Sequence, residues 1–355
     1  LNTGATVIGN GYVEVGFGAS RGLLGTGPVT NHTGLVFNRL GGYSITTLAG
    51  AGGLTNNAAG VLTLAGTNDF HGPVVINSGG VAITGQAALS GVTNFLLTAS
   101  ANGTGGSRVT LAGGVVVPAN VTASLLGSSV APDNRCNLTT TAGTNVWNGP
   151  LVYDGSGANS LITDGGEFDV NGPITGPNFS GKVILRGGGV GYLNSVVNLP
   201  GGHVSKTDGS VWVITSTGNI WTNTDVASGT LRLGANNVLP SGITVNMTGG
   251  SLDLAGFNQT VAVLNGTSGP IGNSSTNTDS TLTVLGNTNY SGTIQNVISN
   301  GTHKVALIVV GGPVTLSGTN TYSGDTTVSS GTLALTGGGS LTGTSNINVA
   351  AGATL

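Results

Sequence analysis

Glu167 and Asp169 stand two positions apart, with Asp164 just before them and Asp154 further upstream. Alternate side chains of a strand share a face, so the two carboxylates would lie about 7 Å apart. That separation suits the acid and base of an inverting glycosidase, which needs room for a water between them. Lys182 or Arg186 would serve as the basic partner that an acidic polysaccharide requires. The competing reading is structural: solvent-facing carboxylates flanking the Asp164-Gly165-Gly166 turn. The spread of charge favours that second reading, since Asp, Glu, Lys and Arg make up only 6% of the 355 residues and are scattered along the chain.

Other chemistries are harder to assemble. His32, His71, His203 and His303 have many Ser and Asp to choose from, but no Gly-X-Ser-X-Gly elbow accompanies them, and each reads as a surface or corner residue. The ten Asp are dispersed and form no Gly-Gly-X-Gly-X-Asp array, so no metal site is expected. Cys136 is the sole cysteine, which excludes an intramolecular disulfide. The glycine runs Gly187-Gly188-Gly189 and Gly337-Gly338-Gly339 are followed by no Lys-Ser/Thr and read as corners, not phosphate loops. No cofactor is expected.

The elements that would carry these residues are short strands. Three Lys, two Glu and three Gln are too few to clothe helices, while 66 Gly fit a chain of many turns. Period-2 alternation recurs in Leu62-Thr63-Leu64, Leu252-Asp253-Leu254, Leu282-Thr283-Val284 and Leu333-Ala334-Leu335. With 38% apolar residues and a net charge of −3 the chain folds and is not a disordered segment. Nine scattered basic residues argue against a nucleic-acid partner, and the longest apolar run, Val305 to Val310, is far short of a helical membrane span.

The chain repeats itself. Val61 to Gly85 aligns without gaps on Pro313 to Gly337, each passing through an alternating stretch, Gly-Thr-Asn, aromatic-X-Gly, a second stretch, then Ser-Gly and a third. The marker recurs with Phe70, Trp147, Phe179, Trp221, Tyr290 and Tyr322 as its aromatics and Gly72, Gly149, Gly181, Gly292 and Gly324 as its glycines. The six rings either plug the inside of a corner or form an exposed edge of sugar-stacking platforms. Strands of three to five residues cannot stand alone and must stack on their equivalents in the next repeat. The fold expected is all-β: a single-stranded right-handed parallel β-helix (β-solenoid) over residues 1–355, with little or no α-helix and an irregular loop insertion around 119–145. Coils of about 20 to 25 residues rising about 4.8 Å each would give about 14 to 18 turns and a body about 70 to 85 Å long.

The block from Pro313 to Gly337, with Leu-Ser-Gly-Thr-Asn-Thr-Tyr-Ser-Gly and Thr-Thr-Val-Ser-Ser-Gly-Thr-Leu, resembles the autotransporter-associated β-strand repeat, also called the passenger-associated transport repeat. Val61 to Gly85 is a second good copy. The resemblance implies a right-handed parallel β-helix exported to the bacterial surface, a stalk or adhesive passenger, with no catalytic motif. Leu1 to Asn10 has neither the charged nor the apolar region of a secretory leader, and no barrel-forming strands follow. Both ends run in repeat pattern, so the first and last coils are expected to stack on further coils, either of the same chain or of another copy in a head-to-tail filament. The expected partners are thus the chain itself and host or matrix glycans. The alternative is a secreted β-helix enzyme, a polysaccharide lyase or inverting glycosidase.

Overall fold

A computed structural model describes residues 3–89, 91–98, 106–127 and 135–355. The chain divides into two compact units, Leu1–Ile184 and Leu185–Leu355. Both are built from strands of two to eight residues, with Gly-rich turns between them. Among the described residues there is no α-helix; one 3-10 turn, Gln86–Leu89, is the only helical element. Among the described residues no helix is long and apolar enough to cross a membrane.

Strands pair in parallel with the equivalent strands of the preceding and following coils. In the first unit Tyr43–Ile45, Val61–Leu64, Gly80–Ile83, Arg108–Ala112 and Asn137–Ala142 form one such ladder. In the second, Val211–Ile214, Thr230–Leu233, Ser251–Asp253 and Pro270–Asn273 form another. This is the expected β-solenoid, with about 15 turns in all.

The alternation seen in the sequence becomes vertical stacking. Ile45, Leu64, Ile83 and Leu111 sit one above another and are buried. In the second unit Trp212, Leu231, Leu252, Ile271 and Ile294 do the same. Burying each such side chain is worth about 1.5–3 kcal/mol, and no short strand could be held without it. The outward positions are Thr, Asn, Ser and an occasional charge, which explains how a chain with so little charge stays folded around an apolar interior.

Within the 119–145 region, Thr122–Leu126 and Asn137–Ala142 are strands of the ladders, and residues 128–134 lie outside the described residues. Cys136 is buried; its Sγ donates to the Leu97 carbonyl at 3.3 Å, and burial pushes its thiol up to about 12.

Candidate functional site: the repeat corner

The aromatic-X-Gly element is a corner of the coil, and its parts depend on one another. Phe70, Trp147, Phe179, Trp221, Tyr290 and Tyr322 are all buried, so none offers a ring face to a sugar. Where the ring carries a polar atom the corner often supplies a partner. Trp221 Nε1 donates to Thr224 Oγ1 at 2.8 Å, the hydroxyls of Tyr322 and Thr326 are hydrogen-bonded at 2.6 Å, and Tyr290 OH donates to the Gly269 carbonyl. Burial pushes the Tyr322 hydroxyl up to about 12, so it stays protonated throughout the ordinary pH range.

The glycine two residues on is required by close approach, not by an unusual backbone angle. A Cβ on Gly72, Gly149, Gly181, Gly292 or Gly324 would run into the backbone carbonyl of Gly52, Val121, Gly157, Gly269 or Val305 respectively, one coil back. At Gly72, Gly181 and Gly292 it would also strike the ring of Phe70, Phe179 or Tyr290. The corner thus lets two successive coils touch backbone to backbone, while the ring fills the space beneath.

A third component escaped the sequence reading: a polar residue two positions before the aromatic. Asn68, Asn145, Asn219 and Asn320 are buried. Each accepts a backbone N–H from the preceding coil through Oδ1: from Leu48 at 2.7 Å, Val115 at 2.9 Å, Val197 at 2.8 Å and Ile294 at 2.9 Å. Each also donates through Nδ2 to a nearby carbonyl of its own turn, Ala65, Ala142, Ser216 or Gly318. At the Tyr290 copy Thr288 takes the place, accepting from Leu264 N at 2.9 Å. At the Phe179 copy the position is Pro177, which can do neither. The signal was present as Gly-Thr-Asn, shared by the two best copies.

The carboxylates behave as surface groups. Glu167 and Asp169 lie on the strand Glu167–Val170, alternating with the buried Phe168 and Val170, and so share the outer face. Their partners on the preceding strand are Thr144 and Val146. Desolvation, with the Glu167 charge beside it, raises the carboxyl of Asp169. Asp164 is exposed in a bend and Asp154 is exposed at the end of the strand Leu151–Asp154, and Arg186 faces Asp208 at 3.3 Å. Concavities lined by residues 23–46, 265–291 and 279–345 contain none of the three clustered carboxylates. Among the histidines, His303 Nδ1 lies 2.8 Å from Asp279 Oδ1 and His71 Nδ1 lies 3.7 Å from Asp69 Oδ1, both pairs at the surface. No group of three His, Cys, Asp or Glu that could hold a metal occurs among the described residues.

Comparison with known proteins agrees with this geometry. The family model of the passenger-associated-transport-repeat matches residues 59–83 and 311–335, two of the three copies in which Asn, aromatic and glycine are all present. The chain is also similar to the adhesin BmaC autotransporter of Brucella suis biovar 1 (strain 1330), with 25% identity over 311 residues, 81% of this chain and 9% of that protein. The chain therefore spans about a tenth of the length of the curated relative it matches. No solved structure matches.

Proposed function

From two passenger-associated-transport repeats built into a parallel β-solenoid, we propose that this chain is a stretch of the passenger of a much longer bacterial surface protein. Its role is mechanical and adhesive, not catalytic. The observation that carries the reading is the repeat corner: the features that recur, buried Asn, buried ring and close-contact glycine, all serve coil-to-coil stacking and present no reactive group. Similarity to an autotransporter adhesin supports the surface location and the adhesive role.

The test is labelling of whole source bacteria with antibody raised against the folded chain. Labelling of intact cells, removed by external protease, is the expected result. Labelling only after permeabilisation would overturn the surface assignment. Two finer parts belong to the same proposal. No depolymerisation of polygalacturonate or other acidic polysaccharide is expected, because Glu167 and Asp169 face neutral neighbours on an outer strand face. Association of copies through their outermost coils is expected as elongated oligomers in sedimentation; a strictly monomeric chain at high concentration would remove it.

A further inference from the structure

The outer face of one ladder in the second unit carries an unbroken polar column. Asp225, Asn246, Asn265, Asn289 and Thr315 pair in register on five successive strands. Each lies one inter-strand spacing, about 4.8 Å, from the next. They tie to one another: Asn246 Nδ2 donates to Asp225 Oδ1 at 3.0 Å, and the Asn289 backbone N–H donates to Asn265 Oδ1 at 3.1 Å.

Beside the column the strand register shifts once. Met247 pairs with Gly266 but Thr248 pairs with Ser268, so Thr267 is an extra residue, a β-bulge in the strand Val263–Ser268. Gly266 has φ of 145°, and a Cβ there would meet the Met247 carbonyl, so the sequence can make this bulge only with glycine. The bulge opens a concavity of about 320 Å3 lined by Asn265, Gly266, Thr267, Asn289 and Ser291. Every side chain in it is a neutral carboxamide or hydroxyl, able both to donate and to accept. Ser291 Oγ accepts from Ser317 Oγ at 2.6 Å, extending the polar rim by one coil.

We infer that this bulge concavity, with the column running through it, is a binding site for an extended neutral polysaccharide. The neutral amides and hydroxyls of the concavity match a hydroxyl-rich ligand and give a charged one no counter-ion, the column's one carboxylate, Asp225, lying two coils from Asn265. The coil spacing repeats on the scale of successive sugar rings in an extended chain, so a longer ligand meets the same groups again. The inference rests on the adhesive reading above and names what that surface holds.

The test is calorimetric titration of the folded chain with β-1,4-linked glucose and N-acetylglucosamine oligosaccharides of two and six units, with polygalacturonate as the charged comparison. Expected are saturable binding of a neutral hexasaccharide, at least tenfold tighter than its disaccharide and insensitive to salt, and a loss of at least tenfold in Asn289→Ala/Ser291→Ala. Both changed side chains are exposed, so the variant should fold, which circular dichroism checks. Asp325→Asn, in the separate concavity lined by Asp279, Lys304 and Asp325, should bind as the parent does. No neutral hexasaccharide binding at millimolar concentration, or binding unchanged in the double variant, would overturn the site. Bacteria that display the chain and adhere through it, with or without the Asn289→Ala/Ser291→Ala change, would overturn this site while leaving the adhesive reading intact.

Discussion

Asn320 Oδ1 accepts the backbone N–H of Ile294, one coil earlier, at 2.9 Å, and its Nδ2 donates to the carbonyls of Gly318 and Ser340 at 2.9 and 3.2 Å. One buried carboxamide, on a strand of only two residues, Thr319–Asn320, therefore joins three successive levels of the solenoid at the corner. Buried backbone groups left without a partner are costly, so a corner on each turn needs such a device.

Asn320→Ala should lower stability by about 2–4 kcal/mol, because it strands one buried N–H and weakens two carbonyl contacts. Asn320→Asp should lose at least as much, since a carboxylate accepts but cannot donate to Gly318 and Ser340. Asn68→Ala tests the same device in the other unit. Equilibrium unfolding in guanidinium reads all three, with fluorescence and circular dichroism compared for coincidence.

Gly292→Ala should destabilise by about 2–4 kcal/mol, since its Cβ meets the Gly269 carbonyl and the Tyr290 hydroxyl. Tyr290→Phe alone should cost about 1 kcal/mol for its hydrogen bond to Gly269. The double variant should lose less than the sum, because removing the hydroxyl makes room for the methyl group. Additive losses would show that ring and glycine act independently.

Lys206 is buried in the column where neighbouring coils carry Val226 and Met247, and its Nζ donates to the carbonyls of Thr207, Asp208 and Ser228 at 2.5, 2.9 and 3.2 Å. Lys206→Met should cost about 1–3 kcal/mol by leaving these carbonyls without a donor. Burial pushes the ammonium down to about 8, below the ordinary value of 10.5. Between those values the unfolded chain binds more protons than the folded one, so stability contributed at this site rises with pH across that window. The deficit of Lys206→Met relative to the parent should therefore widen from pH 8 to pH 10, in unfolding titrations at each pH.

Asp169 has the opposite sign of linkage. Its carboxyl is raised by desolvation and by Glu167, so the folded chain holds this proton more tightly, and stability falls as pH rises from the ordinary carboxylate value through the raised one. Asp169→Asn should leave the melting temperature at pH 7 unchanged or slightly higher, with the difference fading in acid. A marked loss would mean that this carboxylate has an attractive partner at the surface.

The sequence made much of this architecture readable, for a physical reason. Alternation at Leu62-Thr63-Leu64 or Leu282-Thr283-Val284 is imposed by the pleat, so inward and outward faces follow directly, and so does the shared face of Glu167 and Asp169, whereas the alternation at Leu252-Asp253-Leu254 does not reveal that Asp253 is buried. Asn320 was hidden because Gly-Thr-Asn is equally good turn chemistry, and a turn Asn is ordinarily exposed. Lys206 was hidden because a lone Lys after Val204-Ser205 fits a solvated strand end; only the stack shows that its position belongs to Val and Met. The bulge at Thr267 was invisible for a related reason. It exists only relative to the neighbouring strand, whose register no single stretch of sequence specifies.

The repeat corner locks one coil to the next. Native-state hydrogen exchange, read at residue level, tests it at the four amides that donate to a corner Asn: Leu48, Val115, Val197 and Ile294. All four should exchange as slowly as the core ladder amides, and Asn320→Ala should speed Ile294 far more than it speeds Leu48. Exchange of these four amides at the rate of exposed turn amides would contradict it.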